Sequence, residues 1–414
     1  MTAVNDSAAP IDPNANARRN ALILSAAQGL TAASAPISIA LGGLVGSYLL
    51  GADKSLATAP VTGYNLGIAL MAIPAAMLMA RVGRRLGFIS GTVLGMVGML
   101  VATYAILQGN FWLFCFGLLM NGMQSAFTQQ YRFAAADEGT PEFKPKAISW
   151  VLAGGLFAAI IGPQTAIYTR DLFSPVEFAG AYFAGTFLLF AGAIVLSFLR
   201  FEKPLSKEER KNADTGRPLS VIMAQPKFIV SVFCAVGAYA LMSYVMTGAP
   251  LAMAICGFTP DQSTNGIMLH VMAMFGPSFF TGNLIAKYGK ETIVAVGMVI
   301  LAICAGVALA GIDLANFYIS LILLGIGWNF GFIGATAMLT ETYRPEEKAK
   351  AQGANDFILF GMTAVASLMS GQTLNAFGWD ALNWVVFPVV TLCLISLAWL
   401  HLRQKGTGEA PFSN

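Results

Sequence analysis

Two asparagines, Asn121 and Asn329, lie in the middle of long apolar segments of this 414-residue chain. Burying an amide among apolar groups costs free energy unless its donors and its acceptor are bonded, so such positions are candidates for a binding site. The two residues are 208 positions apart. Because each amide offers both a donor and an acceptor, the pair predicts either a solute held from two sides or hydrogen bonds between helices.

Further amide and aromatic side chains at similar depth extend this candidate substrate-binding set. Its members are Asn121, Gln124, Asn329, Trp328, Gln28, Tyr239, Tyr244, His270 and Tyr64. Tyr64 and His270 are 206 positions apart and occupy corresponding places, which favours a role for both in the wall of a pocket. For the aromatic residues, the alternative is packing against other helices or against lipid.

Titratable groups inside the apolar segments limit the proton chemistry that is available. His270 lies well inside such a segment, and a histidine changes its charge close to neutral pH. Asp356 is the deepest of the 21 acidic residues. Proton coupling would therefore use His270, Asp356 or neither. The absence of a central charge predicts an uncharged solute with an aromatic or amphiphilic body.

The elements that position these residues are predicted to be membrane-spanning helices. Hydrophobic residues make up 56% of the chain and charged residues only 11%, with a mean hydropathy of +0.67, which excludes a soluble globular protein. A spanning helix needs about 20 mostly apolar residues. Twelve segments qualify, near 21–48, 60–80, 86–108, 111–130, 147–168, 178–199, 228–250, 263–286, 292–310, 314–340, 351–376 and 381–402.

The positions of the basic residues predict the topology. With twelve spans, 22 of the 24 Lys and Arg residues fall on the side of both termini, and only Lys54 and Arg170 fall on the other. Cytoplasmic loops carry such an excess, so we expect both termini to be cytoplasmic. The predicted organisation is a disordered tail at 1–20, a six-helix bundle at 21–199, a charged linker at 200–227, a second bundle at 228–402 and a tail at 403–414.

The chain also contains an internal repeat at an offset near 208. Short basic turns follow spans 2 and 8, and Tyr-Arg pairs end spans 4 and 10. These residues form the predicted gating set, which consists of Arg81, Gly83, Arg84, Arg85, Lys287, Gly289, Lys290, Arg132 and Arg344. The basic turns have an alternative role as topology signals alone.

This layout resembles the major facilitator superfamily. Its loop signature, G-x-L-x-D-R-x-G-R-[RK], is matched at Leu78, Arg81, Gly83, Arg84 and Arg85. Ala80 replaces the Asp that helps to close the gate in that family. The resemblance implies an all-α membrane protein with twelve transmembrane helices in two six-helix bundles, which are related by pseudo-two-fold symmetry and rock about a central site. In span 5, Gly162-Pro163 partly matches a motif of drug–proton antiporters.

Two segments carry a narrower resemblance. Tyr131–Asp137 and the run from His270 to Gly282 resemble a bacterial subgroup of the superfamily, some members of which import riboflavin. We therefore expect a secondary active or facilitative transporter of a small uncharged aromatic solute in the bacterial inner membrane, with riboflavin import as the specific hypothesis. The alternatives are a proton-coupled multidrug efflux antiporter and, from another class, a membrane receptor or scaffold.

Other functional classes are disfavoured by what the sequence lacks. It contains no GxSxG, HExxH or GxxxxGK[ST] motif, which argues against an enzyme or an ATP-driven pump. Its five cysteines stand singly without a CxxC, so no metal or other cofactor is expected. A net charge of +3 is too small to indicate nucleic-acid binding. The expected partners are a small-molecule substrate and the lipid bilayer, and the protein is expected to be monomeric.

Overall fold

The protein is built from long apolar helices. A computed structural model describes residues 14–137, 140, 143–201 and 216–406. Spans 1 to 6 are formed by Ala15–Thr31 with Ser34–Leu49, Ala59–Val82, Arg84–Leu107, Phe111–Thr128, Lys144–Thr169 and Ala179–Ser197. Spans 7 to 12 are formed by Pro226–Ile255, Pro260–Phe275 with Ser278–Tyr288, Lys290–Leu309, Leu314–Leu339, Lys348–Trp384 and Val386–Gly406. Shorter helices cover Tyr131–Asp137, Leu219–Met223 and Pro345–Glu347.

The number of membrane crossings follows from helix lengths and breaks. Nine helices in the described residues are long and apolar enough to span a bilayer, and a bent pair, Pro260–Phe275 and Ser278–Tyr288, makes a tenth. One of the nine, Lys350–Gln404, has 55 residues and contains the non-helical residue Gly378, at a φ of 82°. Such a helix would be about 80 Å long, far more than a bilayer needs, so it supplies two spans. Phe111–Thr128 is an additional apolar helix, and the predicted fold of twelve transmembrane helices is confirmed.

Two spans are broken near their middle, which corrects the expectation of single helices over 21–48 and 263–286. Span 1 is interrupted at Ala32 and Ala33, where the Ala35 amide donates to the Ala32 carbonyl over 3.1 Å. Span 8 bends by 42° between its two helices. The bend falls at Pro277, which has no amide proton for the helical ladder.

The predicted tails and linker also differ from the structure at their edges. The first helix begins at Ala15, so residues 15–20 are helical and not part of a disordered tail. The last helix continues to Gly406, into the predicted tail at 403–414. Half of the predicted linker, residues 202–215, lies outside the described residues, and Leu219–Met223 is helical.

The ends of the described chain lie at one face of the protein, which we name the terminal face; the opposite one is the distal face. Asn20, at the start of span 1, donates to the carbonyl of Arg200, after span 6, over 2.7 Å. In the second half, Lys227 and Lys290 both form ion pairs with Glu341. Within each half, these contacts hold together the ends of the spans that lie at the terminal face.

The internal repeat is visible in the backbone of the two basic turns. Gly83 has φ 87° and ψ 160°, and Gly289 has φ 87° and ψ 155°. Only glycine adopts such angles without strain. The same turn therefore joins spans 2 and 3 and spans 8 and 9, as a duplicated six-helix unit requires.

Candidate functional site

A central cavity lies between the two halves of the protein. It holds about 1150 Å³ of empty space, counting its mouth. Spans 1, 2, 4 and 5 line it from the first half, and spans 7, 8 and 10 line it from the second. The cavity sits at the interface of the two bundles, where an alternating-access transporter binds its solute.

The second half supplies an aromatic wall. Trp328 and Phe332, one helical turn apart on span 10, stack with ring centroids 5.1 Å apart. Tyr239 of span 7 meets both rings edge-on, at 5.4 Å and 5.2 Å. Phe275, at the end of the first helix of span 8, approaches Trp328 at 6.4 Å. We name Tyr239, Phe275, Trp328 and Phe332 the aromatic wall.

The first half supplies amide and hydroxyl groups. Gln28, Tyr64, Asn65, Ser125, Thr128 and Gln129 all line the cavity and form what we name the polar wall. The Tyr64 hydroxyl and the Ser125 Oγ lie 2.7 Å apart. Gln28 Oε1 on this wall and Trp328 Nε1 on the other are buried polar atoms without a hydrogen-bond partner among the described residues. A solute between the walls can therefore both stack and form hydrogen bonds.

A charged residue also lines the cavity, which corrects the expectation of a site without charge. Arg132 follows span 4 and lines the end of the cavity nearest the terminal face. Its guanidinium lies over the ring of Phe133, 4.8 Å from the centroid. Asp356 lies on span 11 in the other half, where its Oδ1 accepts a hydrogen bond from Asn355 over 3.0 Å. The sequence places both residues near the ends of spans, and only folding brings Arg132 to the cavity.

The two central asparagines, Asn121 and Asn329, lie outside the cavity lining. Asn121 is fully buried and donates to the Ser38 Oγ of span 1 over 2.8 Å. Asn329 donates to the Met274 carbonyl over 2.6 Å and to the Ser278 Oγ over 2.7 Å. Its Oδ1 accepts from Thr281 over 2.6 Å. These contacts favour the alternative that both amides stabilise helix packing, and Asn329 does so across the break in span 8.

Three more candidates also lie outside the lining. Gln124 donates to the Thr128 Oγ1 over 2.6 Å, and the Tyr244 carbonyl accepts from Ser370 over 2.6 Å. The His270 Nδ1 lies 2.8 Å from the Leu321 carbonyl, and the side chain is fully buried between spans 8 and 10. Gln28, Tyr64, Tyr239 and Trp328 are the members of the predicted set that the structure brings together around the cavity.

The predicted gating residues lie at the terminal face. Arg84 lies over the Phe201 ring at 5.9 Å and Lys287 over the Tyr288 ring at 5.1 Å, whereas Arg81 and Arg85 are exposed. Lys290 pairs with Glu341. Burial alone would raise the pKa of Glu341, but hydrogen bonds and attraction from Lys227 and Lys290 bring it below the ordinary value. These ion pairs stay within the second half, so they do not join the two bundles.

Glu347 organises the loop between spans 10 and 11. Its fully buried carboxylate accepts from Arg217 through Nε (2.9 Å) and Nη2 (2.7 Å), and from the Arg344 backbone amide (2.9 Å). The hydrogen bonds from Arg217 hold the pKa of Glu347 well below its usual range. Arg344, predicted for gating, contributes this backbone amide while its side chain is exposed.

Contacts between the two halves lie on the distal side of the cavity. Asn65 of span 2 donates to Ser243 of span 7 over 3.4 Å and to Ser367 of span 11 over 3.3 Å. Nearer the distal face, Arg170 forms a 2.8 Å ion pair with Asp261. The sequence offered one signal for this contact, since Arg170 is one of two basic residues predicted on the distal side.

Sequence reasoning missed several lining residues that a simple pattern identifies afterwards. Phe332 stands four positions after Trp328, and Ser125 and Thr128 are three apart, so each pair shares one face of its helix. Phe275 precedes the Gly276-Pro277 break. The break in span 8 and the spacing of three or four residues along a helix were the features of the sequence that could have identified these lining residues.

Comparison with known proteins identifies the family. The family model of the Major Facilitator Superfamily matches residues 21–312 and 278–413. The chain is 49% identical over 390 residues to the riboflavin transporter RfnT of Brucella anthropi, covering 94% of this chain and 97% of that protein. It is 28% identical to the MFS-type transporter YddS of Bacillus subtilis, covering 88% of this chain and 87% of the relative. A crystal structure of the nucleoside transporter NupG shares the fold with a TM-score of 0.67 at 12% identity, covering 93% and 99% of the two chains.

Proposed function

The chain belongs to the major facilitator superfamily, and from this membership we propose that it imports riboflavin. It is a multi-pass membrane transporter of a small molecule. The high identity to a riboflavin transporter over almost the whole of both chains supports the choice of solute.

The observation that carries the proposal is the pairing of unlike walls. Riboflavin is uncharged at neutral pH and joins a flat tricyclic ring to a hydroxylated chain. The aromatic wall offers stacking and edge contacts for the ring. The polar wall offers amides and hydroxyls for the chain and the ring carbonyls. A pocket that is mainly apolar with a few polar groups suits an organic solute of this kind.

We also propose the orientation and state in which the protein works. The excess of basic residues on the terminal face supports cytoplasmic termini in a bacterial inner membrane. The cavity lining reaches toward that face through Gln129 and Arg132, while on the distal side the halves are joined by contacts of Asn65 and Arg170, which supports an opening toward the terminal face. Solute released from this arrangement would reach the cytoplasm, as import requires. We expect a monomer to be sufficient.

Uptake in cells and in liposomes tests the proposal. A riboflavin auxotroph that lacks its own importer should grow on micromolar riboflavin when it expresses this protein. Purified protein in liposomes should take up radiolabelled riboflavin, and Trp328→Ala should lower the uptake at least tenfold. Trp112→Ala is a matched control, because Trp112 is 67% exposed on the outside of span 4. A correctly inserted wild-type protein that neither supports growth nor takes up riboflavin would overturn the proposal.

Multidrug efflux remains the second candidate on one observation. Ala158, which replaces the first Gly of the partial antiporter motif in span 5, lines the central cavity, as does Gly155 just before the motif. An efflux antiporter would raise the resistance of cells to several unrelated toxic compounds, and a proton uncoupler would abolish that resistance. Riboflavin uptake without any change in resistance favours the import function.

A further inference from the structure

A cationic side chain at the cavity keeps a hydrogen-bond donor that no group in the described part of the chain uses. Arg132 follows span 4 and lines the end of the cavity nearest the terminal face. Its side chain is half-buried, and its Nε is a buried donor without a hydrogen-bond partner among the described residues. Buried polar atoms in proteins are almost always hydrogen-bonded. A solute bound in the cavity can supply the acceptor that this donor needs.

The ring of Phe133 holds the Arg132 guanidinium in place. The guanidinium lies over this ring, 4.8 Å from its centroid. Such stacking uses the face of the guanidinium plane and leaves the N–H groups at its edges available. Lys348 of the second half lies over the same ring at 5.3 Å, so Phe133 is contacted from both halves. Arg132 therefore presents a positioned fork of donors at the end of the cavity.

Arg132 differs from the other polar groups of the cavity in what it offers to a solute. The Gln28 and Gln129 amides and the Ser125 hydroxyl can each donate and accept, which suits the hydroxylated chain of riboflavin. A guanidinium only donates, and its planar fork fits two acceptors that lie side by side in one plane. Riboflavin has this pattern at its pyrimidinedione ring, where each carbonyl oxygen stands beside a ring nitrogen that carries no hydrogen.

From this arrangement we infer that Arg132 is a specificity-determining residue, which binds one carbonyl oxygen of the riboflavin pyrimidinedione ring together with the ring nitrogen beside it. The inference rests on the proposed function. The contact places this edge of the flavin at the terminal end of the cavity. The aromatic wall can stack on any flat ring of suitable size, whereas the guanidinium distinguishes a ring that has these paired acceptors from one that lacks them.

Riboflavin analogues that lack one ring acceptor test the inference. In 1-deazariboflavin and 5-deazariboflavin, a C–H group replaces the nitrogen beside one or the other carbonyl, and the shape of the ring is kept. Isothermal titration calorimetry measures their binding to the full-length purified protein. One of the two analogues should bind to the wild type at least about tenfold more weakly than riboflavin, as expected for the loss of a hydrogen bond to a charged group.

Removing the donors should abolish this difference between the ligands. In Arg132→Met, riboflavin loses the same hydrogen bond, so both analogues and riboflavin should bind with equal Kd values. If Arg132→Met does not yield folded protein, Arg132→Ala removes the same donors. A difference between the ligands that persists without the guanidinium would overturn the inference.

Lumiflavin separates the ring from the hydroxylated chain. This flavin keeps the pyrimidinedione ring and has a methyl group in place of the chain. Arg132→Met should raise the Kd of riboflavin and that of lumiflavin by the same factor, at least about tenfold. A rise for riboflavin alone would place Arg132 at the chain and overturn the inference.

Arg403→Met is a matched control. Arg403 also lies over an aromatic ring, that of Trp399, at 5.4 Å, but it is exposed near the end of span 12 and does not line the cavity. This variant should keep the wild-type Kd values for all four flavins. Equal losses in Arg403→Met and Arg132→Met would overturn the inference.

The outcomes also distinguish this inference from the proposed function. Wild-type protein that binds no riboflavin would overturn the function and the inference together. Wild-type protein that binds riboflavin and both deaza analogues equally well would overturn the inference alone.

Discussion

The two halves of the protein share a backbone plan but differ in the chemistry they present. Both use the same glycine turn after their second span, at Gly83 and Gly289. The first half offers amides and hydroxyls to the cavity, whereas the second offers Trp328, Phe332 and Tyr239. At the terminal face, the second half is held by ion pairs around Glu341 and Glu347. Duplication thus conserved the geometry, while the contacts of individual side chains diverged.

The division of the cavity into an aromatic and a polar wall predicts the largest effects on solute binding. Phe332→Ala should weaken riboflavin binding at least tenfold, about 1.4 kcal/mol, since it removes a stacking partner. Gln28→Ala should weaken it about threefold, as expected for one neutral hydrogen bond. Lumiflavin, a flavin with a methyl group in place of the hydroxylated chain, sharpens the comparison. Its Kd should rise in Phe332→Ala and stay unchanged in Gln28→Ala, and the reverse pattern would contradict the assignment of the walls.

The two central asparagines should differ in their contribution to stability. Asn329→Ala removes hydrogen bonds to Met274, Ser278 and Thr281, and at about 0.6 kcal/mol for each bond inside a membrane the loss is about 2 kcal/mol. Asn121→Ala removes the bond to Ser38 and should cost about 0.6 kcal/mol. Denaturation in mixed micelles measures both free energies of unfolding. Equal losses of unfolding free energy in the two variants would show that the hydrogen bonds of Asn329 at the break in span 8 add no extra stability.

The buried carboxylate of the second half predicts a dependence on pH. Glu347 occupies the place that Ala135 has in the first half, counted from the matching Tyr-Arg pairs. Because its pKa is lowered by Arg217, it stabilises the folded state above its ordinary pKa, and that contribution is lost as the pH falls. The Tm should therefore fall more steeply in the wild type than in Glu347→Gln between about pH 6 and about pH 3.5. Glu346→Gln, at the neighbouring exposed residue, should keep the wild-type slope.

The basic turns should give the smallest effects. Lys290→Ala removes a partly exposed ion pair with Glu341 and should cost at most about 1 kcal/mol. The exposed and mutually corresponding residues Arg81 and Lys287 should change stability by less than about 0.5 kcal/mol when each is replaced by alanine. Thermal melts of the three variants provide the measurement. A large loss in Arg81→Ala would indicate that the first half has a terminal-face contact of comparable strength.

The sequence predicted how deep in its span each side chain lies, but it did not predict which face of the helix carries that side chain. Apolar length and the distribution of basic residues were enough for the twelve-helix fold, because those signals are sums over many residues. Trp328 and Asn329 are adjacent and equally deep, yet their side chains point about 100° apart around the helix. Only Trp328 lines the cavity. His270 was also predicted to line the cavity and does not, whereas the next residue, Val271, does.

The cause of this ambiguity lies in the composition of the spans. A helix with one polar and one apolar side reveals its orientation, but a helix that is apolar all round does not. Spans 1 and 7 are surrounded by other helices for much of their length, so neither face carries a marked polar stripe. Arg132 was misplaced for a related reason, since a charge near the end of a span usually lies in the loop region.

The break in span 8 also has a mechanical meaning. The helix Ser278–Tyr288 is hydrogen-bonded to Asn329 of span 10, whereas Phe275, just before the break, forms part of the cavity wall. The segment has 11 residues and is about 16 Å long, so a rotation at the break, which lies beside the central cavity, would displace its far end most. A swing of about 10° at the pivot would carry its far end through about 3 Å, roughly the diameter of a water molecule. A small displacement of one aromatic ring would thereby be magnified at the terminal face.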